Sequence, residues 1–342
     1  LGNLSNVDFQ VEIEQDMVAA TGEPGERIKA NKERIKVKGA LLGADSPLFE
    51  IWGAPMTQYL RWTVGETYED GQWDRYEWRE PVGYDGEILN TNVSLESSLD
   101  IITYEVHPLF NLTTFAPVTL NALQISFDEL IFRYPSLQIY SPIQAFITPY
   151  DVTYALYDFS IDTVQSATIR YDEEYQQVPN GLRSQLYPYA SSIIEGIESP
   201  YERLKTLERH MRENFEYGAD FEPVPEGMDP VEWFLFNQTK GTCAHFNSAF
   251  VLLARSLGLP VRVVAGFLMV PDLSYQRVMP NKGHMWAEAY FEDLGWITFD
   301  ATPERYIEKP IGMNKISTVT EIIYNPNTTL KDDYFSVYGT VR

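Results

Sequence analysis

The sequence Gly241–Phe246 (GTCAHF) contains Cys243, the only cysteine of the chain, and leads directly into an apolar run. Within Ala244–Leu257, apolar residues recur at the spacing of a helix, and Gly258 followed by Pro260 ends the pattern. The spacing therefore predicts a helix with Cys243 at its N-terminus.

A thiol at the start of a helix is placed to ionise. A free thiol has a pKa of about 8.5, so a nucleophilic cysteine needs an environment that favours the thiolate. The unpaired N–H groups and the dipole of the helix start provide one. The backbone N–H of Cys243 would also lie near the oxygen of a carbonyl that its sulfur attacks, as one oxyanion donor. Trp233, Tyr217 and Trp286 are candidates for a second donor or for the lining of a substrate groove.

Four histidines compete for the role of general base. His107 lies in a β-rich part and His210 on a polar helix face, and neither is expected to act. His245 follows Cys243 by two positions, a rotation of about 200° in a helix, so its side chain is expected to point away and to pack. His284 is the predicted base.

An acid can orient the imidazole of His284. Met285–Phe291 and Gly295–Asp300 predict two neighbouring strands, and the second of them ends in a carboxylate. Adjacent antiparallel strands can place an acid beside an imidazole, but the loop between these two does not fix their register. Asp300 is the predicted orienting acid and Glu288 the alternative. Thiol, imidazole and acid are the three parts that activation of a nucleophile requires.

The chain before these motifs predicts strands first and helices later. Arg34–Lys38 alternates polar and apolar residues and Tyr59–Val64 predicts a second strand, with no helix up to Phe115. Helical spacing begins with Gly181–Ile197 and Ser199–Phe215. We predict a β-rich N-terminal domain (1–115), a second β-rich region or linker (116–192), a core domain (193–312) and a C-terminal strand, Thr318–Tyr324, within a tail (313–342).

Composition limits the partners. The chain has 342 residues, with 49 acidic and 26 basic side chains and a net charge of -23. Such a field repels nucleic acid, which we exclude as a partner. No His/Cys cluster has ligand spacing and no glycine-rich phosphate loop occurs, so we expect no cofactor. Scattered carboxylates such as Asp70 or Asp293 could bind calcium, although no EF-hand loop is present.

Several features favour a location outside the cytoplasm. The sequence begins at Leu1 and not at methionine, so we expect a processed piece without a signal peptide. Its longest apolar stretch, Ala249–Val270, is interrupted by Arg255 and Arg262, so no transmembrane span is predicted and any membrane anchors lie in other segments. Five Asn-x-Ser/Thr sequons favour a glycosylated extracytoplasmic domain at the cell surface: Asn3, Asn92, Asn111, Asn237 and Asn327.

Taken together, the motifs resemble the transglutaminase-like superfamily, and in particular its prokaryotic membrane-anchored branch. The resemblance rests on Gly241–Phe246 and four further segments, and its specific part covers roughly residues 195 to 305. Tyr59–Trp62 and Thr67–Trp73 are similar to the β-rich segment that precedes the catalytic domain in that branch. The four segments are Trp233–Phe236 (WFLF), Leu253–Gly266 (LARSLGLPVRVVAG), His284–Glu288 (HMWAE) and Gly295–Pro303 (GWITFDATP).

The resemblance implies an α+β fold with a papain-like core. In such a core a cysteine-bearing helix packs on an antiparallel sheet, here preceded by one or two β-domains. It assigns Cys243 as nucleophile, His284 as base and Asp300 as orienting acid. The thiolate would attack an amide carbonyl of a protein or peptide and leave a thioester. An amine would then complete a transglutaminase reaction, whereas water would complete proteolysis or deamidation.

Two alternatives stay open at the level of sequence. One is a cysteine peptidase or amidohydrolase, for which the acceptor is water. The other is a surface-binding module that keeps the fold without catalysis, a role that the acidic, tyrosine-rich front half would suit. The triad of residue types argues against the second and does not separate the first from a transferase.

Overall fold

The computed structural model describes residues 46–303, except for short gaps at 76–77, 83–85, 88–97, 113–114, 129–130, 135–136, 158, 170–173 and 293. Before residue 46 it describes only the short strand segments 6–7, 10–12, 28–29, 33–36 and 41–42. The predicted C-terminal strand and tail, the candidate calcium ligand Asp293 and the sequons at Asn3, Asn92 and Asn327 lie outside the described residues. The two other sequon asparagines, Asn111 and Asn237, are exposed.

Strands dominate the first half of the chain. They are β1 (Asn6–Val7), β2 (Gln10–Glu12), β3 (Ile28–Lys29), β4 (Glu33–Lys36), β5 (Leu41–Leu42), β6 (Phe49–Trp52), β7 (Tyr59–Gly65), β8 (Thr67–Glu69), β9 (Gln72–Arg75), β10 (Trp78–Val82), β11 (Gly86–Glu87), β12 (Ser98–Pro108), β13 (Ala122–Phe127), β14 (Ile131–Tyr134), β15 (Ile139–Pro142) and β16 (Tyr150–Tyr157).

Helices and the remaining strands follow. The helices are α1 (Ile161–Ser166), α2 (Asn180–Ile193), α3 (Pro200–Asn214), α4 (Pro230–Trp233), which continues as a π-helical turn (Phe234–Gln238), and α5 (Cys243–Ser256). Two 3-10 turns cover Glu174–Gln176 and Pro280–Lys282. The strands are β17 (Glu216–Tyr217), β18 (Lys240–Gly241), β19 (Val261–Leu268), β20 (Tyr275–Val278), β21 (Gly283–Phe291) and β22 (Gly295–Phe299).

The predicted cysteine helix exists, and it is buried along its whole length. α5 packs against strands β19 and β21 on one side and against helices α2 and α3 on the other. Proline at the first position of α3 needs no backbone donor, which explains why that helix begins at Pro200. None of the described helices combines the length and the apolar character that crossing a bilayer needs.

The sheet under α5 has the strand order β22-β21-β19-β7, and all of its neighbouring strands are antiparallel. We call it the core sheet. β7 comes from the β-rich front part of the chain, about 200 residues before its neighbour. It approaches β19 so closely that a Cβ on Gly266 would lie 2.1 Å from the carbonyl oxygen of Leu60, so only glycine fits there.

Most of the other described strands form separate antiparallel sheets. The largest has six strands in the order β11-β13-β16-β12-β6-β20, and two four-stranded sheets have the orders β15-β14-β10-β3 and β2-β4-β9-β8. β20 follows the cysteine helix in sequence, yet it pairs with β6 of the front part. The predicted fold class is confirmed: this is an α+β protein in which the cysteine helix packs on an antiparallel sheet, preceded by a β-rich N-terminal region.

The predicted domain boundaries stay predictions. The pairings of β7 with β19 and of β6 with β20 join the stretches 1–115 and 193–312 within single sheets. A shared apolar cluster that contains Leu60 and Phe267 also lies across both stretches. The front part therefore supplies structure to the core, which the division by sequence did not anticipate.

Candidate functional site

Cys243 occupies the first position of α5. Thr242 is the N-cap residue, and the backbone N–H of Thr242 donates to Nδ1 of His245 at 3.2 Å while the Thr242 side chain bonds within the first turn. Cys243 itself is fully buried, so the thiol is not at an open surface and neighbouring side chains must move before a substrate reaches it.

His245 is a capping residue. It packs against Phe221, with the ring centroids 4.9 Å apart, and against Phe234. The packing leaves no room for a side chain before the helix, since a Cβ on Gly241 would lie 2.8 Å from the Cβ of His245. The expected packing role agrees with this environment.

The burial of His245 makes the stability of the fold depend on pH. Burial lowers the pKa of His245 from its ordinary value of 6.5 to about 4. The folded protein therefore disfavours the charged imidazole. The contribution of His245 to the free energy of unfolding is complete above pH 6.5 and is lost as the pH falls towards 4. We expect a loss of about 3 kcal/mol over this window from His245, measured by urea unfolding at several pH values.

The variant His245→Asn isolates this effect. The asparagine oxygen can accept from the Thr242 N–H, and asparagine does not titrate. Subtracting the unfolding free energy of the variant from that of the parent at each pH therefore removes the contributions of the other titrating groups. If His245→Asn loses as much unfolding free energy between pH 6.5 and 4 as the parent does, the titration does not belong to His245.

His284 lies at the second position of β21, and its ring forms a hydrogen bond with Asp300. Nε2 of His284 lies 2.7 Å from Oδ2 of Asp300, and both side chains are almost completely buried. A carboxylate only accepts, so Nε2 carries the proton and Nδ1 of the neutral ring is the free basic nitrogen. The structure thus brings the predicted base and acid together.

Asp300 is held by further donors. Its Oδ2 also accepts from the hydroxyl of Tyr59 at 3.1 Å, and its Oδ1 accepts from the backbone N–H of Thr302 at 3.0 Å. Burial alone would raise the pKa of Asp300, but the attraction and the hydrogen bond of His284 outweigh it and hold the pKa well below its ordinary value. Asp300 is therefore a permanent carboxylate at neutral pH.

Helix α3 fixes the backbone on either side of this carboxylate. The N–H of Asp300 donates to Oε1 of Glu208 at 2.8 Å, and Nε of Arg212 donates to the carbonyl oxygen of Asp300 at 2.8 Å. Glu208 is buried and also forms an ion pair with Lys205. A network of charges on α3 thus sets the position of the acid.

Glu288, the alternative acid, lies in a different environment. Its carboxylate accepts from the guanidinium groups of Arg61 and Arg262 at 2.7 to 3.1 Å, and all three side chains are fully buried. The register of β21 and β22 pairs Glu288 with Thr298. The geometry favours Asp300 over Glu288 as the partner of His284.

The three oxyanion or groove candidates differ in position. Trp286 is fully buried, with its ring 4.8 Å from that of Tyr59, and its indole N–H has no hydrogen-bond partner among the described residues. A groove-lining or oxyanion role for Trp286 stays a prediction, because Cys243 is as fully buried as Trp286. The indole N–H of Trp233 donates to Gln238 at 2.8 Å, so it is engaged.

Tyr217 is the remaining candidate, and it lies beside the cysteine. It pairs in parallel with Gly241, two residues before Cys243, and its half-buried ring packs on Phe246. A role in the oxyanion hole stays a prediction for Tyr217.

The other two histidines are occupied elsewhere. His107 lies in β12 with Nε2 2.7 Å from a carboxylate oxygen of Glu105. His210 lies on α3, 2.8 Å from the hydroxyl of Tyr189. Within the described part of the chain, no group of three or more His, Cys, Asp or Glu side chains could hold a metal ion.

Several residues around Asp300 were not predicted from the sequence, and Tyr59 and Asn247 are two of them. Tyr59 is 241 positions from Asp300, and nothing local marks it. Asn247 is a fully buried amide one turn after Cys243, and its Nδ2 lies 3.2 Å from Oδ1 of Asp300. A carboxamide four positions after Cys243 lies on the same helix face as the thiol, a signal that sequence reasoning could have used.

The core of the chain is similar in sequence to known proteins. The family model of the transglutaminase-like superfamily matches residues 187–301. The uncharacterized protein YebA of Bacillus subtilis is 29% identical over 169 residues, which are 45% of this chain and 23% of that protein. The protein-glutamine gamma-glutamyltransferase of Pseudomonas aeruginosa is 36% identical over 106 residues, 29% of this chain and 16% of that protein. The chain thus spans less than a quarter of either relative.

Solved structures extend the likeness beyond the core. The periplasmic domain of TgpA from Pseudomonas aeruginosa superposes with a TM-score of 0.57 at 19% identity, covering 75% of this chain and 88% of that domain. Its ethylmercury-bound form gives 0.58 at 20% identity, covering 78% and 94%. At these identities the likeness concerns the fold, and it includes the β-rich region in front of the core.

Proposed function

Residues 187–301 belong to the transglutaminase-like superfamily, and on that premise we propose that the chain is a cysteine acyltransferase that acts on glutamine carboxamides of proteins or peptides. The observation that carries the proposal is the buried pair of His284 and Asp300, 2.7 Å apart, at the end of the strand on which the cysteine helix packs. The glutamyltransferase named among the relatives supports the choice of substrate class.

The proposed reaction has two halves. The sulfur of Cys243 bonds to the carboxamide carbon, the C–N bond breaks, and His284 gives the leaving ammonia its proton. The thioester that remains is attacked by a primary amine, whose proton passes to Nδ1 of His284 as the C–S bond breaks. Asp300 stabilises the imidazolium and keeps Nε2 protonated throughout.

The backbone around Cys243 would stabilise the oxyanion. The backbone N–H of Cys243, at the first position of α5, would donate to the oxygen of the attacked carbonyl. The thiol, imidazole and carboxylate of the site are all buried. Because the electrostatic interactions of buried groups are weakly screened, the His284–Asp300 pair is a strong orienting element.

We expect the chain to join a primary amine to a glutamine-containing peptide. The peptide is incubated with the protein, with and without the amine, and the products are weighed by mass spectrometry. An adduct that forms with loss of ammonia supports transfer. Deamidation or cleavage alone, with the amine present in excess, would assign the site to a hydrolase, and Cys243→Ala is the control in which all products must vanish.

We also propose that this domain works outside the cytoplasm, attached to a membrane through segments outside this sequence. The likeness in fold to a periplasmic domain supports the placement. The partners would be protein or peptide substrates on that side of the membrane, with no cofactor.

A further inference from the structure

One turn after the cysteine, α5 carries a buried carboxamide that contacts three separate segments of the site. Asn247 is fully buried, and its Oδ1 accepts from the backbone N–H of Ala301 at 2.9 Å. This bond fixes the orientation of the amide, because an N–H can donate only to the oxygen. The nitrogen of the amide therefore points to the other contacts.

Nδ2 of Asn247 lies among four acceptors. It is 2.7 Å from the carbonyl oxygen of Met285, the residue after His284, and 3.2 Å from the carbonyl oxygen of Cys243. It is also 3.2 Å from Oδ1 of Asp300 and 3.1 Å from the hydroxyl of Thr302. The two hydrogens of Nδ2 are shared among these four acceptors. One amide therefore links Cys243, strand β21 after His284, and the segment Asp300–Thr302.

We propose that Asn247 is a positioning residue for the acyl transfer, which sets the first turn of α5 relative to the His284–Asp300 pair. The inference rests on the proposed function. The hydrogen bonds of the amide reach the backbone of Cys243 and Met285 and the carboxylate of Asp300, and the amide acts through these groups. A neutral donor is required at this position, because a second carboxylate would face Asp300 at about hydrogen-bond distance.

Three variants test the role. Asn247→Ala removes the link and is expected to lower kcat for amine transfer by about 10- to 100-fold with KM nearly unchanged, since positioning matters most in the transition state. Asn247→Asp places a second carboxyl group beside Asp300, and the buried pair is expected to share one proton at neutral pH. This variant therefore keeps a donor to Asp300 and is expected to retain more of the kcat than Asn247→Ala. Ser256→Ala is the control, because its buried hydroxyl bonds only within α5, to Leu253, at the far end of the helix.

A second readout does not depend on turnover. Cys243 is the only cysteine, so the difference in ultraviolet absorbance between the protein and its Cys243→Ala variant at each pH reports the ionisation of this thiol, with the 22 tyrosines subtracted. In Asn247→Ala the first turn of α5 is no longer held beside the His284–Asp300 pair, so the imidazolium stabilises the thiolate less. The midpoint of the titration is expected to rise by about one pH unit, whereas Ser256→Ala leaves it unchanged. Unfolding free energies of all variants separate this effect from a loss of stability.

The inference is overturned if Asn247→Ala keeps the kcat of Ser256→Ala, or if the thiol of Asn247→Ala titrates like that of the parent. Should Asn247→Asp not fold, the kcat of Asn247→Ala relative to Ser256→Ala decides alone. If the parent protein transfers no amine, the proposed function fails, and the rate of alkylation of Cys243 by iodoacetamide replaces kcat as the measure of the role of Asn247.

Discussion

Substitution of Asp300 by asparagine is expected to lower kcat for amine transfer by roughly 10³- to 10⁴-fold, with little change in KM. The carboxylate can only accept, which keeps the proton of His284 on Nε2 and leaves Nδ1 basic. An amide can turn its NH2 group towards Nε2 and so stabilise the opposite tautomer. The imidazolium that forms during the reaction also loses its counter-charge. Steady-state kinetics with a glutamine peptide and a primary amine measure the effect.

Asp272→Asn is a matched control for this change. Asp272 is exposed and has a positive φ of 58°, a conformation that asparagine also adopts readily, so the same loss of charge is made without strain and away from the site. We expect it to keep the parent kcat. An Asp300→Asn protein that retains kcat to within roughly tenfold would show that Asp300 does not orient the base.

The cysteine helix and the packing role of His245 could be predicted from the sequence, because each depends only on residues that are close together in the chain. Apolar spacing and the Gly258 stop predict α5, and its first residue is the cysteine. Rotation about a helix axis is enough to separate His245 from the thiol. These inferences needed no knowledge of which strands are neighbours.

The rest depended on contacts between distant segments. The choice between Asp300 and Glu288 is a matter of strand register, which the loop between β21 and β22 does not encode. Tyr59 reaches Asp300 only because β7 joins the core sheet, and a pairing across about 200 residues leaves no periodic signal. The same strand supplies Arg61, the residue that gives Glu288 its different role.

The environment of Glu288 makes it a structural group and not a catalytic one. Arg61 contacts it through Nε and Nη2 and also donates to the carbonyl oxygens of Leu137 and Gln138, so this one side chain ties the core sheet to the β-rich region. Arg262 approaches from β19 and lies 3.4 Å from the centroid of the Trp296 ring. Burial alone would raise the pKa of Glu288, but both guanidinium groups outweigh it and lower the pKa.

Glu288→Gln is therefore expected to destabilise the fold by about 3 to 5 kcal/mol, because it leaves two buried guanidinium groups without their shared counter-charge. Urea unfolding at neutral pH measures the loss. Glu50→Gln is the control: Glu50 pairs with Arg277, which is 59% exposed, so the loss there is expected to be much smaller.

The pH dependence of the same measurement tests the cause. A glutamate whose pKa is lowered on folding stabilises the protein above its ordinary value of 4.5, and that contribution is lost as the pH falls. The difference in unfolding free energy between the parent and Glu288→Gln should therefore shrink below pH 4.5. If Glu288→Gln is no less stable than Glu50→Gln, the buried cluster of Arg61, Arg262 and Glu288 does not hold the β-rich region to the core sheet. The position of Tyr59 beside Asp300 would then depend on the strand pairing of β7 alone.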